Sequence, residues 1–267
     1  MEKYTKTYNV ILDDMSLLNY RLRPISAISY VQDAFARYTA TKRMAAYDMF
    51  EHNLYWVVAD FNIDFVDLLP FWSEEIKVEI WFSEVSKLKI YTDFNVYYRD
   101  KIFAKGNGLW FLLDQNTKRP IKTDAYADRM EICSELALGE HKKLILPETT
   151  DKIASITHTN NLSDIDFNKH VNNKSYINIA EMTSPDGFLE NHTVKSLNIK
   201  FCKESFLGDT LTCNAYKTAQ DNYFVHKIEK DGVLICEIGS QWENGRNKDK
   251  ILEYETDIKK NYPFATA

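Results

Sequence analysis

Residues 25–51 place apolar side chains at Ile28, Val31, Phe35, Tyr38, Met44, Ala45 and Met49, close to a 3.6-residue period with almost no breakers between them. The pattern predicts one long helix over Ile25–Glu51, with Pro24 at its start, where a missing N–H costs nothing. A second, shorter helix is predicted over Asn172–Met182, with Tyr176, Ile177, Ile179 and Ala180 on its apolar side and Pro185-Asp186-Gly187 as its stop. Ile76-Lys77-Val78-Glu79-Ile80-Trp81 alternates with a period of two and reads as a strand, as do Ile90–Tyr98 and Tyr223–Ile228. A single helix followed by hairpin-connected strands cannot build βαβ crossovers. The expected class is α+β: an antiparallel sheet curling around its helix, formed twice.

The duplication is written in the sequence. Phe61-Asn62-Ile63-Asp64-Phe65 resembles Leu197-Asn198-Ile199-Lys200-Phe201, and each is followed by a turn and a strand, Ser73–Val78 and Gly208–Cys213. Asp100-Lys101-Ile102-Phe103 then matches Asp231-Gly232-Val233-Leu234 as a hairpin tip, and both strands run on to Gly108-Leu109-Trp110 and Gly239-Ser240-Gln241-Trp242. Between the halves, Asp114–Thr150 opens on the turn residues Asp114-Gln115-Asn116-Thr117 and ends at Pro147, with a short helix expected over Asp124–Leu138. The expected division is residues 1–123, a connector 124–150, and residues 151–267.

Composition narrows the chemistry. Only 8 Gly and 6 Pro occur in 267 residues, and the one close glycine pair, Gly106 and Gly108, has Phe111 where a third would be needed to cradle a phosphate. Thirty-three basic against 39 acidic residues leave a net charge of −6, with basic runs no longer than Lys42-Arg43, Lys142-Lys143 and Lys259-Lys260. That is no footprint for nucleic acid. Cys133, Cys202, Cys213 and Cys236 show no C-x-x-C, and His52, His141, His158, His192 and His226 have no ligand spacing, so neither a metal nor a redox cofactor is expected. No run approaches the ~18 apolar residues of a membrane span, and the amino terminus lacks the apolar core of a signal peptide. The expectation is a reduced, cytoplasmic protein without a membrane segment.

Chemistry concentrates in Ser163-Asp164-Ile165-Asp166-Phe167-Asn168-Lys169-His170-Val171-Asn172-Asn173, just ahead of the shorter helix. Asn and Asp are favoured helix caps, so a polar capping loop accounts for part of it. Yet Asp166, Asn168 and His170 are spaced by two and project to one side of an extended segment, where carboxylate, amide and imidazole can orient one another. The following helix N-terminus offers free N–H groups to a developing oxyanion. The first half serves as an internal control. Setting Tyr30 on Tyr176 places Tyr20, Leu22 and Pro24 opposite Asp166, Asn168 and His170, so only the second half carries these groups.

Asp166-x-Asn168-x-His170-Val171-Asn172-Asn173, followed by Tyr176 and Glu181, resembles the acyl-ACP thioesterase family of plants and bacteria, and the likeness covers nearly the whole chain, Gly108-Leu109-Trp110 included. The resemblance implies two tandem hotdog domains and hydrolysis of fatty acyl-acyl carrier protein to free fatty acid. It carries the catalytic roles onto Asp166, Asn168 and His170, and adds Glu204 from Phe201-Cys202-Lys203-Glu204-Ser205. Plant members have a Cys after this Glu; here the position is Ser205, which needs an adjacent base before it can attack. The expected mechanism is therefore direct hydrolysis, with Glu204 drawing a proton from water, His170 and Asn168 positioning water or thioester, and Asp166 orienting its neighbours. Strict alternation, by itself, puts Glu204 with Cys202 on the face opposite Ile199 and Phe201, where a carboxylate is ordinarily just solvated.

The family also lines its acyl tunnel with first-half side chains; by pattern, Tyr47, Trp56, Phe61, Phe65, Phe71 and Trp72 are mainly core. Carrier protein is acidic, so a −6 chain must meet it through a local basic patch, for which Lys142-Lys143 and Lys42-Arg43 are candidates. Monomer and homodimer both remain open. So do two other readings: an acyl-CoA thioesterase with Asp166 as base or nucleophile, and a non-catalytic acyl-binding module. A hotdog hydratase would need Asp-x-Asn-Pro-x-His, and Lys169 stands after Asn168 here.

Overall fold

Pro24 occupies the first turn of α1 (Pro24–Thr41), which buries Ile25, Ala27, Ile28, Val31, Ala34, Phe35 and Tyr38. The predicted helix does not continue to Glu51. Arg43 turns to φ +53, Met44 N donates to Thr39 O at 2.9 Å and Arg43 N to Ala40 O at 3.1 Å, so the helix closes in a Schellman motif before α2 (Ala46–Glu51) begins. No glycine marks the stop. Arg43 takes the left-handed position itself, and Trp56 Nε1 fastens the corner by donating to Met44 O at 2.7 Å.

The computed structural model describes residues 3–16, 21–67, 69–185 and 187–244; Tyr20, Asp186 and Lys259-Lys260 lie outside them. The first half contributes β1 (Tyr4–Asn9), β2 (Leu54–Phe65), β3 (Glu75–Val85), β4 (Ile90–Tyr98) and β5 (Lys101–Asp114). The second contributes β6 (Thr149–Thr159), α3 (Asn173–Glu181), α4 (Phe188–Asn191), β7 (His192–Phe201), β8 (Thr210–Thr218), β9 (Tyr223–Lys230) and β10 (Val233–Asn244). All ten strands form one antiparallel sheet in the order β1-β3-β4-β5-β2-β7-β10-β9-β8-β6, which reads as the same five-strand order taken outward from its centre in both directions. These are the two hotdog domains in tandem, in the α+β class.

The seam is formed by the pentapeptides that betrayed the repeat. Phe61 pairs with Ile199, Asn62 with Asn198 and Ile63 with Leu197. Asn198 Nδ2 donates to Asn62 Oδ1 and Asn62 Nδ2 to Asn107 Oδ1, both at 2.9 Å, so identical residues meet across an internal two-fold. Both hairpin tips carry consecutive left-handed residues, Arg99-Asp100 and Asp231-Gly232. Gly106 is required on β5, because a Cβ there would lie 2.0 Å from Asn62 O.

The connector departs from expectation. Ahead of β6 its regular piece is a 3₁₀ stretch over Thr123–Arg129, not a helix to Leu138. The remainder is spent on contacts with the first sheet: Cys133 N donates to Phe82 O, Trp81 Nε1 to Glu135 O, and Ala137 N to Asp93 Oδ1. These fixed bonds outweigh a weak helical pattern. No described helix is long and apolar enough to cross a membrane.

Candidate active site

Asp166–His170 is a closed turn rather than an extended segment. Lys169 N donates to Asp166 O at 3.0 Å, Asp166 N to His170 O at 2.9 Å, and Lys169 sits at φ +65. Asp166 holds it from inside: Oδ1 accepts from Asn168 N at 2.8 Å and from His170 N at 3.3 Å. Short acidic side chains compete with strand pairing in this way, which is why a spacing of two did not produce one face. The three groups still converge, through the turn. Asn172 caps α3 by accepting from Lys174 N at 3.0 Å, while Asn173, the first helical residue, faces the adjacent cleft. Asn168 Oδ1 is buried without a hydrogen-bond partner, an acceptor left open within the turn.

Glu204 arrives from the other side. Strand β7 ends at Phe201, and Cys202 N and Lys203 N then both donate to Ile235 O, at 2.8 and 3.1 Å. Two successive donors on one acceptor break the alternation, so Glu204 leaves the solvated face predicted for it while Cys202 stays exposed. Glu204 Oε1 comes to 3.6 Å from His170 Nδ1. Phe206 stands edge-on to the imidazole at 5.3 Å and Tyr55 at 6.4 Å between ring centroids. Tyr55 belongs to β2, in the first half; burial first, then the nearby Glu204 charge, push its phenol up to about 12.

A cleft of about 520 Å³ opens on these groups. At one end it meets Asp166, Asn168, His170 and Glu204; the remainder runs between α1 and the sheet, past Phe35, Ala36, Thr39, Val58 and Trp110. Phe35 stacks on Trp110 at 3.8 Å and meets Trp56 edge-on at 5.2 Å, giving an aromatic floor. Of the aromatics singled out in the first half, Trp56 alone lines this cleft; Phe61, Phe65 and Phe71 are buried core. Tyr47 and Trp72 are not core at all, being 67% and 47% exposed. Phe35, Trp110 and Tyr55 were missed as cleft residues. Their signals were present, in the helical period and the Gly-Leu-Trp repeat, but periodicity cannot separate a wall from a core.

Two sequence-family models match the chain: the acyl-ACP thioesterase N-terminal domain over residues 1–128 and its C-terminal domain over residues 148–244. The chain belongs to the acyl-ACP thioesterase family. Among curated relatives of this acyl-ACP thioesterase-family chain, it is 28% identical over 168 residues to a chloroplastic palmitoyl-acyl carrier protein thioesterase of Arabidopsis thaliana, covering 59% of this chain and 40% of that one. The Gossypium hirsutum protein of the same name is 27% identical over 212 residues, 75% and 51% of the two chains. The chain thus spans about half the length of the curated relatives it matches. The fold is that of an acyl-ACP thioesterase from Bacteroides thetaiotaomicron VPI-5482 (TM-score 0.79, 22% identity, 90% and 97% of the two chains). It is also that of the 12:0-ACP thioesterase from Umbellularia californica (TM-score 0.79, 17% identity, 91% and 98%).

In this member of the acyl-ACP thioesterase family, Ser205 is fully buried outside the cleft. Its Oγ lies 2.9 Å from the Tyr176 hydroxyl and 3.4 Å from Asn160 Nδ2, and its carbonyl accepts from Val171 N. Its contacts tie the loop, α3 and the end of β7 together, and no histidine is among its described hydrogen-bond partners. The internal comparison needs a new register as well. Arg23 N donates to Asp14 O as Asn172 N donates to Asp164 O, and Ser16 N reaches Arg21 O as Asp166 N reaches His170 O. Ser16 and Arg21, rather than Tyr20, Leu22 and Pro24, therefore stand opposite the Asp166–His170 turn. The first half still lacks the carboxylate and the imidazole.

Three other histidines serve structural contacts. His226 is buried between Thr183 Oγ1 at 2.9 Å and Ser240 Oγ at 3.3 Å, and burial holds its pKa down at about 4. His141 binds Asp93 Oδ2 at 2.7 Å and docks the connector; His158 pairs with Asp164 at 2.9 Å. Among the described residues no group of three or more metal-ligating side chains converges. The basic pairs proposed for docking do not line the cleft: Lys42 pairs with Glu131 and Lys142 with Glu140, whereas Lys118 and Lys203 do line it.

Proposed function

We propose that the chain hydrolyses the thioester of a fatty acyl group on acyl carrier protein, using water as the nucleophile. The observation that carries this reading is a single cleft with a carboxylate–imidazole pair at one end and an aromatic-floored apolar channel behind it. A lipid tail in the channel would bring its thioester to His170 and Glu204, with the carrier's arm leaving past Lys118 and Lys203. Glu204 takes a proton from water as the water oxygen bonds to the thioester carbon. The oxyanion so formed is met by N–H donors at the start of α3, where Asn173 faces the cleft. Collapse expels the thiol sulfur, which recovers the proton, and leaves the free acid. The open acceptor on Asn168 suits the second hydrogen of that water, and Asp166 builds the turn that presents both neighbours.

General-base catalysis contributes ~10²–10⁴-fold and one oxyanion donor ~10²–10³-fold, so the two together account for a substantial thioesterase. The test is steady-state hydrolysis of matched acyl-ACP and acyl-CoA. Glu204→Gln should lose about 10²-fold or more in kcat, while Ser205→Ala keeps turnover within a few-fold and loses about 1–2 kcal/mol of stability with its buried hydrogen bond. A Ser205→Ala protein as inactive as Glu204→Gln, or a trapped acyl-serine, would remove the water mechanism. A clear preference for the CoA ester would move the substrate to the acyl-CoA class, and lipid binding without turnover would leave a non-catalytic module.

A further inference from the structure

We propose that Gln32, on the helix of the first hotdog domain, donates a hydrogen bond from its side-chain amide to the thioester carbonyl as that oxygen becomes an oxyanion. The first half would thereby supply a catalytic residue to the reactive site. This rests on the hydrolysis proposed above. Gln32 shares one stripe of α1 with Phe35, Ala36 and Thr39, and all four line the cleft. Thr39 Oγ1 is spent on its own helix, donating to Phe35 O and Ala36 O at 3.0 Å. Gln32 Nε2 is shut off from solvent and has no hydrogen-bond partner. A buried donor left unmet is costly and rare, and in a cleft it marks the place of an acceptor that arrives with the ligand.

The internal two-fold says where along the cleft this donor stands. Helices α1 and α3 begin at equivalent residues, Pro24 and Asn173, and the residue before each ties its N–H to an equivalent carbonyl, Arg23 N to Asp14 O and Asn172 N to Asp164 O. Counted from those starts, Gln32 is the counterpart of Glu181. Glu181 meets the start of the other helix: Arg23 Nη2 donates to Glu181 Oε2 at 3.1 Å and to Asn178 Oδ1 at 2.7 Å. The same relation sets Gln32 against the start of α3. There Asn172 is too short to fill the place that Arg23 fills, and its side-chain oxygen already caps Lys174 N. The two pockets show the exchange. The small second-half pocket has Pro24, which lacks an N–H, and Glu181, a carboxylate paired with Arg23, and neither can donate to an anion. The cleft has Asn173 and Gln32 in their places, and both can donate. With Lys174 N bound to the cap and Ser175 N to Asn172 O at 2.9 Å, Asn173 is what the start of α3 has left to offer, and a second donor from α1 completes the hold on the oxyanion.

Gln32→Met keeps the length of the side chain and removes the donor. On acyl-ACP it should lower kcat by about 10²-fold, the cost of one oxyanion donor, with KM changed less than about threefold. Its Tm should not fall, because the amide N–H makes no bond in the resting protein. Gln32→Glu, of the same shape, turns the donor into a carboxylate and should lose at least as much turnover. An independent reading comes from a ketone analogue of the acyl-pantetheine arm, with a methylene in place of the sulfur and carbon-13 at the carbonyl. Its C=O stretch should move to lower wavenumber on binding and return part-way in Gln32→Met. Turnover kept within about threefold by Gln32→Met, a loss carried by KM or matched by a lower Tm, or a carbonyl band that the substitution leaves in place overturns the proposal. If the wild-type protein leaves acyl-ACP intact, the proposed function fails instead, and the band shift alone decides for Gln32.

Discussion

The two halves share a strand order and a pair of seam pentapeptides, yet they put the space between helix and sheet to opposite uses. In the first, α1 runs 18 residues, and a channel opens past its Phe35, Ala36 and Thr39, with Phe35 packed on the Trp56 and Trp110 floor. In the second, α3 stops after nine residues, and Phe188 folds in beneath it against Phe224 and Trp242, at 5.4 and 5.3 Å, so that only a pocket of about 30 Å³ survives. Conversely, the loop before α3 carries a carboxylate-braced turn and an imidazole, while the loop before α1 closes with Ser16 and Arg21. In the proposed function, one copy binds and the other reacts. A duplicated frame fixes where helix starts and strand ends meet, and a few side chains decide what each meeting place does. The seam then brings one of each together.

If the reactive turn is the decisive difference, its brace should matter far more than its counterpart. Asp166→Ala removes the acceptor for two backbone N–H groups and frees Asn168 and His170 to move. Misplacement by about 1 Å can cost 10²-fold, so kcat should fall by about that much, while Ser16→Ala stays within about twofold. Asp166→Asn keeps an acceptor oxygen and should recover most of the loss. An Asn variant as inactive as Ala would instead make Asp166 a base or nucleophile in its own right.

The frame was legible in the sequence and the site only in part. Repeated pentapeptides, period-two strands and a breaker-poor helix located strands and the duplication, because each reflects a local preference enforced by burial; that the two pentapeptides pair and join both halves into one sheet is not legible in them. Four further features escaped. The end of α1 is written in tertiary contacts around Arg43 and Trp56 rather than in a glycine. The reactive turn is set by which oxygen Asp166 offers to which N–H. Glu204 is re-aimed by two residues sharing one carbonyl. Tyr55 comes from a strand more than 100 residues earlier, beyond the reach of any spacing rule.

The buried core offers a second way to press the comparison. Counting outward from the Asn62–Asn198 pair, His226 occupies in β9 the place that Phe94 holds in β4. The Thr183 hydroxyl already donates to Ala180 O, so His226 Nδ1–H donates to it, and Nε2 accepts from Ser240 Oγ, whose other partner is Trp242 Nε1–H. This network wants a neutral ring. With the pKa down at about 4, against ~6.5 in the unfolded chain, the unfolded state binds the extra proton between those values. Stability is full above pH 6.5 and is lost as pH falls through 4, by up to about 3 kcal/mol. His226→Phe, which copies the first half, should flatten this arm in denaturant melts between pH 4 and 7, at a cost of about 1–3 kcal/mol near neutrality from the stranded hydroxyls. An acid arm unchanged by the substitution would locate the proton elsewhere.

The mildest test concerns the floor of the channel. Phe35→Ala removes one ring from the stack on Trp110 and lengthens the apolar space on the first-half side only. Two newly buried methylenes are worth ~1.6 kcal/mol, so the ratio of kcat/KM between acyl-ACPs differing by two carbons should move roughly tenfold toward the longer chain. Phe188→Ala enlarges the equivalent space in the second half. It should cost about 2 kcal/mol of stability through a partly collapsed cavity and leave the chain-length ratio where it was. Equal shifts from the two substitutions would mean that the acyl chain threads both halves, and the division into a binding copy and a reacting copy would have to be abandoned.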